Sequence, residues 1–223
     1  MASNVVAIDG PAGSGKSSIA RSVSQTKSFS LVDTGAMYRT VALLALEEGL
    51  DWRNGACLKS LVANLDFRFE FEGEVNRVFV NHNDVTERIR TEEISQGASV
   101  VSRHSEVREA LVLQQRRAAN PGPAVLEGRD IGTVVFPEAK LKLFIEASPE
   151  VRASRRAAEL LARGEPADQK TILEALKVRD LSDSSRAIAP LRAADDAIRI
   201  DTTAMGFEEV LLRVMELIEN RFF

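Results

Sequence analysis

Cysteine occurs once in these 223 residues, at Cys57, which excludes an intrachain disulfide framework and any cysteine-rich metal site. A reducing compartment fits that scarcity. Histidine occurs only at His82 and His104, and both read as surface or packing side chains. Trp52 is likewise a structural residue in this reading. No apolar run approaches the ~20 residues that span a bilayer. The first hydrophobic stretch is short and feeds a glycine-rich loop, unlike a signal peptide, so a cytoplasmic location is expected. Positive charge is not in excess. With a formal net charge of −4, the chain does not look like a general nucleic-acid binder. Internal repeats and low-complexity segments are absent. No long exposed apolar repeat asks for a partner, so a monomer is expected. What remains is an ordinary soluble balance, 44% hydrophobic and 28% charged. The length suits one α/β domain with small insertions, or two small domains.

The most informative segment is Gly10-Pro11-Ala12-Gly13-Ser14-Gly15-Lys16-Ser17, entered directly from the apolar run Val5–Ile8. It satisfies G-x-x-x-x-G-K-[ST] at every fixed position. Glycines let backbone amides close on phosphate oxygens, and the following helix aims unpaired N–H groups at the same anion. Lys16 is expected to reach the β and γ phosphates, and the Ser17 hydroxyl to ligand Mg²⁺. Gly10 through Ser18 form the expected ATP-binding segment. A glycine-rich turn without a ligand would leave the lysine unexplained.

Short apolar strands are expected at Val5–Ile8, Ser30–Val32, Ala124–Leu126, Leu141–Ile145 and Ala197–Ile200. Helices are expected from Ser17, over about 35–48, over about 105–119, from Ser148-Pro149, and over about 206–220. Strand and helix in alternation predict a three-layer α/β fold with a five-stranded parallel sheet. One stretch breaks the rhythm. Leu65–Phe71 alternates apolar and polar residues, Glu72-Gly73-Glu74 signals a turn, and Val75–Val80 is extended again. This reads as an inserted antiparallel hairpin whose phenylalanines form a small core. A helix stop and loop are expected near Arg163-Gly164-Glu165-Pro166.

The phosphate loop alone serves GTPases, motors, transporters and small-molecule kinases. No asparagine precedes a lysine, so the guanine-reading N-K-x-D is missing, and so is L-S-G-G-Q. Arginines at strand ends then decide, because ligands of such sheets gather at the carboxyl ends of strands. They stand in Asp33-Thr34-Gly35-Ala36-Met37-Tyr38-Arg39, in Glu127-Gly128-Arg129-Asp130-Ile131-Gly132, and in Arg179–Pro190. On a helix Arg179, Asp183 and Arg186 would share one face. Spacing by itself says only that a phosphorylated acceptor binds here.

These segments together resemble the bacterial cytidylate kinases, over almost the whole chain. The matching patterns are G-P-x-G-x-G-K-[GS], D-[ST]-G-A-x-Y-R, [DE]-G-R-D-x-G-T-V-V-F-P and R-D-x-x-D-x-x-R-x-x-x-P. The Gln25–Ser28 stretch departs from the family by lacking the glycine usual at the helix end before the second strand. The resemblance implies a P-loop NTPase core over about 1–64, 101–148 and 180–223. It adds a monophosphate-binding insert over about 65–100 and a helical lid over about 149–179. It implies that ATP phosphorylates CMP, and dCMP as a second acceptor, with Mg²⁺ as the ion. Arg39 and Arg129 would clamp the acceptor phosphate, and Thr34 and Tyr38 would help seat the nucleotide. Ser99, Arg108 and Asp130 would read the cytosine edge. Arg179 and Asp183 would contact the sugar, and Arg186 would complete the pocket. Lys16, Arg129, Arg155 and Arg156 would act on the transferred phosphoryl group, with at least one of Arg152, Arg155 and Arg156 entering the closed site from the lid. A nucleoside monophosphate needs little general-base help, because its second pKa is about 6. The scarcity of histidine agrees with such an acceptor. A uridylate-preferring or broader monophosphate kinase, and a slowly hydrolysing nucleotide switch, are the competing readings.

Overall fold

A computed structural model describes residues 3–72, 75–119 and 122–223. Five short strands build the central sheet: β1 (Ser3–Asp9), β2 (Ser30–Asp33), β6 (Ala124–Gly128), β7 (Ala139–Glu146) and β8 (Ile198–Asp201). Their order is β2-β6-β1-β7-β8, and every pairing is parallel. Side chains alternate across a strand, so an all-apolar strand feeds two cores. Val5 and Ala7 of β1 face one core, and Val6 and Ile8 face the other. The first core is closed by helices α2 (Thr34–Glu47) and α5 (Ser105–Ala118), through Met37, Val41, Val107 and Leu111 among others. The second is closed by α1 (Lys16–Lys27) and α8 (Phe207–Phe222), through Ile19, Val23, Val210, Val214 and Ile218.

The register of the sheet matters most for function. Asp33 of β2 lies opposite Glu127 of β6, and Asp9 of β1 lies opposite Gly128. Three strands thus end at one level, and the loops beyond them share one crevice. The chain reverses direction across the sheet at β1, which places the phosphate loop at the switch point.

A second sheet, β3 (Phe67–Glu72), β4 (Val75–Val80) and β5 (Asn83–Asp84), is antiparallel. The expected hairpin is there, although Gly73 and Glu74 of its turn lie outside the described residues. Strand β5 was not legible. It returns through a two-residue turn, Asn81 and His82, both with positive φ (47° and 68°). Phe67 and Phe69 pack against the first core rather than forming one of their own. Phe71 is exposed and shares an open cleft of about 520 Å³ with Phe67, Phe69 and the start of β2. Helix α3 (Gly55–Ala63) was also unanticipated. It is capped by Asn54, which accepts from Cys57 N at 3.2 Å, and buries only Leu58 and Val62. Helix α4 (Glu92–Val101) follows the small sheet and packs on α2. Helices α6 (Pro149–Ala162) and α7 (Gln169–Ser184) pack on each other. The turn between α6 and α7 holds Gly164 at φ 74°.

Candidate active site

The loop from Gly10 to Gly15 joins β1 to α1. Gly10 has φ 148°, and a Cβ there would lie 2.0 Å from the carbonyl oxygen of Ile145, so no side chain fits. Gly13 has φ 73°, the left-handed region that favours glycine. No side chain caps the N-terminus of α1, and no acidic residue sits in its first turn. Its unpaired N–H groups and partial positive charge therefore face the loop. Ser14 and Lys16 are buried. The Lys16 ammonium donates to Pro11 O (2.6 Å) and Ser14 Oγ (3.4 Å), folded onto the loop itself. Burial, and then the Arg129 guanidinium, push the Lys16 pKa below the ordinary lysine range. Ser17 donates to Glu127 Oε2 at 2.6 Å, and Ser18 is exposed beside it. Glu127 is buried, and burial together with the nearby Asp33 charge pushes its pKa up.

Opposite the loop, Asp33 caps α2 by accepting from Ala36 N (2.8 Å) and holds Arg39 on its other oxygen (3.0 Å). Thr34 donates to Glu127 O at 2.7 Å. Arg129, at the end of β6, donates to Asp183 Oδ2 at 2.9 Å and to Gly128 O at 3.3 Å. Arg186 grips the other oxygen of Asp183. Arg108 pairs with Asp130, both buried, and lies 5.6 Å over the ring of Tyr38. Burial pushes the Tyr38 phenol up to about 12 despite the Arg108 charge, so the phenol is neutral. Ser99, half-buried on α4, donates to Ser95 O at 3.5 Å and accepts from Ser102 Oγ at 3.0 Å. Ser102 in turn receives Arg108 on its carbonyl (3.2 Å) and Arg186 on its hydroxyl (3.4 Å). One bonded chain therefore runs from Arg108 through Ser102, Arg186 and Asp183 to Arg129. Ser102 carried no sequence signal, since only the fold brings it between two arginines.

Arg179 completes the cluster. Its pKa falls to about 10, first through burial and then through the charges of Arg129 and, further down, Arg39. Its Nε and that of Arg39 are buried without a hydrogen-bond partner among the described residues. Lys16, Arg39, Arg129 and Arg179 thus sit in one another's field, with donors to spare. A buried unpaired donor costs on the order of 1–3 kcal/mol. An oxyanion bound between these groups would remove that cost and the mutual repulsion at once.

The expectation that Arg186 lies on the same helix as Arg179 and Asp183 is corrected. Helix α7 ends at Ser184, and Arg186 follows it. The chain instead wraps back, with Leu191 N donating to Asp183 O at 2.8 Å, and Arg186 still reaches Asp183. The three arginines of α6 also part company. Arg152 is buried and donates to Ala12 O of the phosphate loop (3.1 Å) and to Asp180 of α7 (2.6 Å). Arg155 donates to the hydroxyl (3.0 Å) and carbonyl (2.8 Å) of Thr202. Arg156 pairs with Glu159 on the outside of the helix, at 3.1 Å. The His104 ring bonds Trp52 O at 2.8 Å, and His82 sits in the turn between β4 and β5.

The family model for cytidylate kinase matches residues 6–220. A cytidylate kinase of Exiguobacterium sibiricum is 49% identical, the match covering 96% of each chain. One from Leuconostoc mesenteroides is 44% identical over 96% of each chain. One from Bacillus subtilis is 42% identical over 97% of this chain and 96% of its own. With the phosphate loop, the arginine-bearing strand ends and these matches in hand, the chain belongs to the cytidylate kinase family.

Proposed function

We propose that the protein transfers the γ-phosphoryl group of ATP to CMP, giving ADP and CDP, and accepts dCMP as well. The observation that carries this reading is the facing of the phosphate loop by Arg39, Arg129 and Arg179, with buried guanidinium donors left free. A hydrolytic switch has no use for that second anion site. The two halves divide the work. Gly10–Ser18 hold the donor triphosphate, with Lys16 swinging from Pro11 O to the β and γ phosphates. Arg39 and Arg129 hold the acceptor phosphate, and Arg179, Asp183 and Arg186 hold the sugar side. Thr34 and Tyr38 seat the nucleotide, and Ser99 and the Arg108–Asp130 pair face the base. Planar guanidinium groups suit this task because they bind phosphate oxygens two at a time and stay charged.

An oxygen of the CMP phosphate attacks the γ-phosphorus, and the bond from that phosphorus to the β–γ bridging oxygen breaks. The electron pair leaves on ADP. No proton need be removed, since the acceptor is largely a dianion at neutral pH. The fit for Mg²⁺ rests on the donor set. The Ser17 hydroxyl lies on buried Glu127, whose charge is opposed by Asp33. Those are hard oxygen donors, a hydroxyl with two carboxylates beside it. Mg²⁺ bound there would neutralise charge on the phosphates. Of the α6 arginines, Arg152 already touches the phosphate loop, so Arg155 and Arg156 would have to leave Thr202 and Glu159 to act on the donor.

The reading favours a cytoplasmic monomer whose insert and lid close over the two nucleotides. The test is ADP release with CMP, dCMP, UMP and AMP as acceptors. CMP and dCMP should be turned over with the highest kcat/KM. Equal rates with AMP would sink the cytosine assignment of Ser99, Arg108 and Asp130. Binding of ATP without any monophosphate would favour the switch.

A further inference from the structure

Asp9 has no place in the scheme so far, yet it is the last residue of β1 and only 4% exposed. A carboxylate buried this deeply is expensive, and burial pushes its pKa up to about 6. Stability alone would be better served by a neutral residue. No cation pairs with it among the described residues. Instead Oδ1 accepts from Ile131 N and Oδ2 from Gly132 N, each at 2.8 Å.

Those two N–H groups open the π-helical turn Ile131–Val135, which directly follows Arg129 and Asp130. The residue placed to cap that turn is Asp130, and it makes no capping bond. Its carboxylate is committed to Arg108. The cap comes from a different strand, and Asp130 is left free to face the base pocket. On its other side Asp9 is bonded covalently to Gly10, the first residue of the phosphate loop. A single side chain therefore joins the donor cradle to the segment bearing the acceptor clamp. Its two bonds are short, charge-assisted and fixed in direction.

We infer that Asp9 is a positioning residue that sets the spacing and alignment between donor and acceptor phosphates. The inference rests on the transfer reaction proposed above. In that role Asp9 touches neither nucleotide. It should therefore govern kcat more than the KM of either substrate, because misplacement of about 1 Å costs on the order of a hundredfold in rate.

The test is Asp9→Asn in the full-length protein. Asparagine keeps the volume and one acceptor but turns an NH₂ group toward the second N–H. We expect kcat to fall about a hundredfold, with both KM values within about threefold of wild type. We expect that loss to be the same from pH 6.5 to pH 9. Recovery of kcat at the lower pH would show that Asp9 acts through the charge of nearby Lys16, and would overturn the inference. So would a wild-type kcat, or a raised KM for the acceptor at unchanged kcat. If the variant does not fold, Gly132→Ala serves. Its Cβ would lie 3.4 Å from Asp9 Oδ2 and 3.1 Å from Lys142 Cδ, pushing the same turn, and should give the same split. All comparisons use whichever monophosphate the wild-type protein turns over fastest. A preference for UMP or AMP would then sink the cytidylate reading while the kcat-to-KM split still decides the role of Asp9.

Discussion

At the scale of single residues, the buried Nε–H groups of Arg39 and Arg179 and the ammonium of Lys16 tell the same story. Each places a nitrogen donor out of reach of water without a full set of partners. Lys16 and Arg129 should nevertheless fail differently when truncated. Lys16→Ala removes the charge on the donor side, so transfer should fall by about 10²–10³-fold or more. CMP binding should remain measurable by calorimetry, because the acceptor groups are untouched. Arg129→Ala should weaken CMP binding and lower kcat together, since a clamp both binds and aligns. It also leaves Asp183 Oδ2 without its partner. A wild-type rate for either variant would contradict the division of labour.

At the scale of elements, the family departure at Gln25–Ser28 has a visible consequence. Helix α1 ends at Lys27, and Ser28 takes the left-handed cap position at φ 55°, ψ 36°. Its N–H still reaches Ser24 O, so the helix end is built as a glycine would build it. A non-glycine residue there carries about 1–2 kcal/mol of strain. Glycine has more freedom to lose on folding, which offsets part of that. Ser28→Gly should therefore stabilise the protein by about 0.5–1 kcal/mol, raising Tm by about 1–4 °C with no change in kcat. A lower Tm would mean the serine makes a contact worth more than the strain. Among the other elements, the sheet strands and the helices α1, α2, α5, α6 and α8 were legible from apolar runs, periodicity and caps, while α7, of equal length to α8, was not marked as an element. Helix α3, with only Leu58 and Val62 buried, and the two-residue β5 carry too few apolar positions to show it. The end of α7 was missed for a related reason. The motif Arg179–Arg186 has helical spacing, but the helix stops at Ser184 while a bond from Arg186 to Asp183 preserves the contact.

At the scale of the molecule, Asp183 ties the end of α7 to the end of β6 through Arg129. Burial alone would raise its pKa, but Arg129 and Arg186 outweigh burial and hold it below the ordinary carboxylate range. A carboxylate held low when folded contributes stability that is complete above its unfolded pKa of about 3.9. That contribution is lost as pH falls through the folded value. The stability gap between wild type and Asp183→Asn, measured by denaturant unfolding, should be constant above about pH 5 and shrink below about pH 4. Parallel curves down to pH 3 would show that the pair adds nothing to folding.

What the chain alone determined is whatever lies within a few residues of itself. The phosphate loop needs its glycines, Lys16 and Ser17 in one run, because a single turn between strand and helix must wrap one anion. The arginine motifs at 39, 129 and 179–186 are local for the same reason, and with the loop they point to the two anion sites proposed above. Only tertiary structure decided how the two are held together. Asp9 bonds to residues 122 and 123 positions away, and Arg129 to one 54 away. Those partners are brought to one level by the register of β1, β2 and β6, and a register is a property of the sheet that no single segment carries. The same holds for Arg152, which the resemblance grouped with Arg155 and Arg156 as lid arginines. Packing of α6 on α7 and the phosphate loop separated it from them, turning it inward against Ala12 and Asp180.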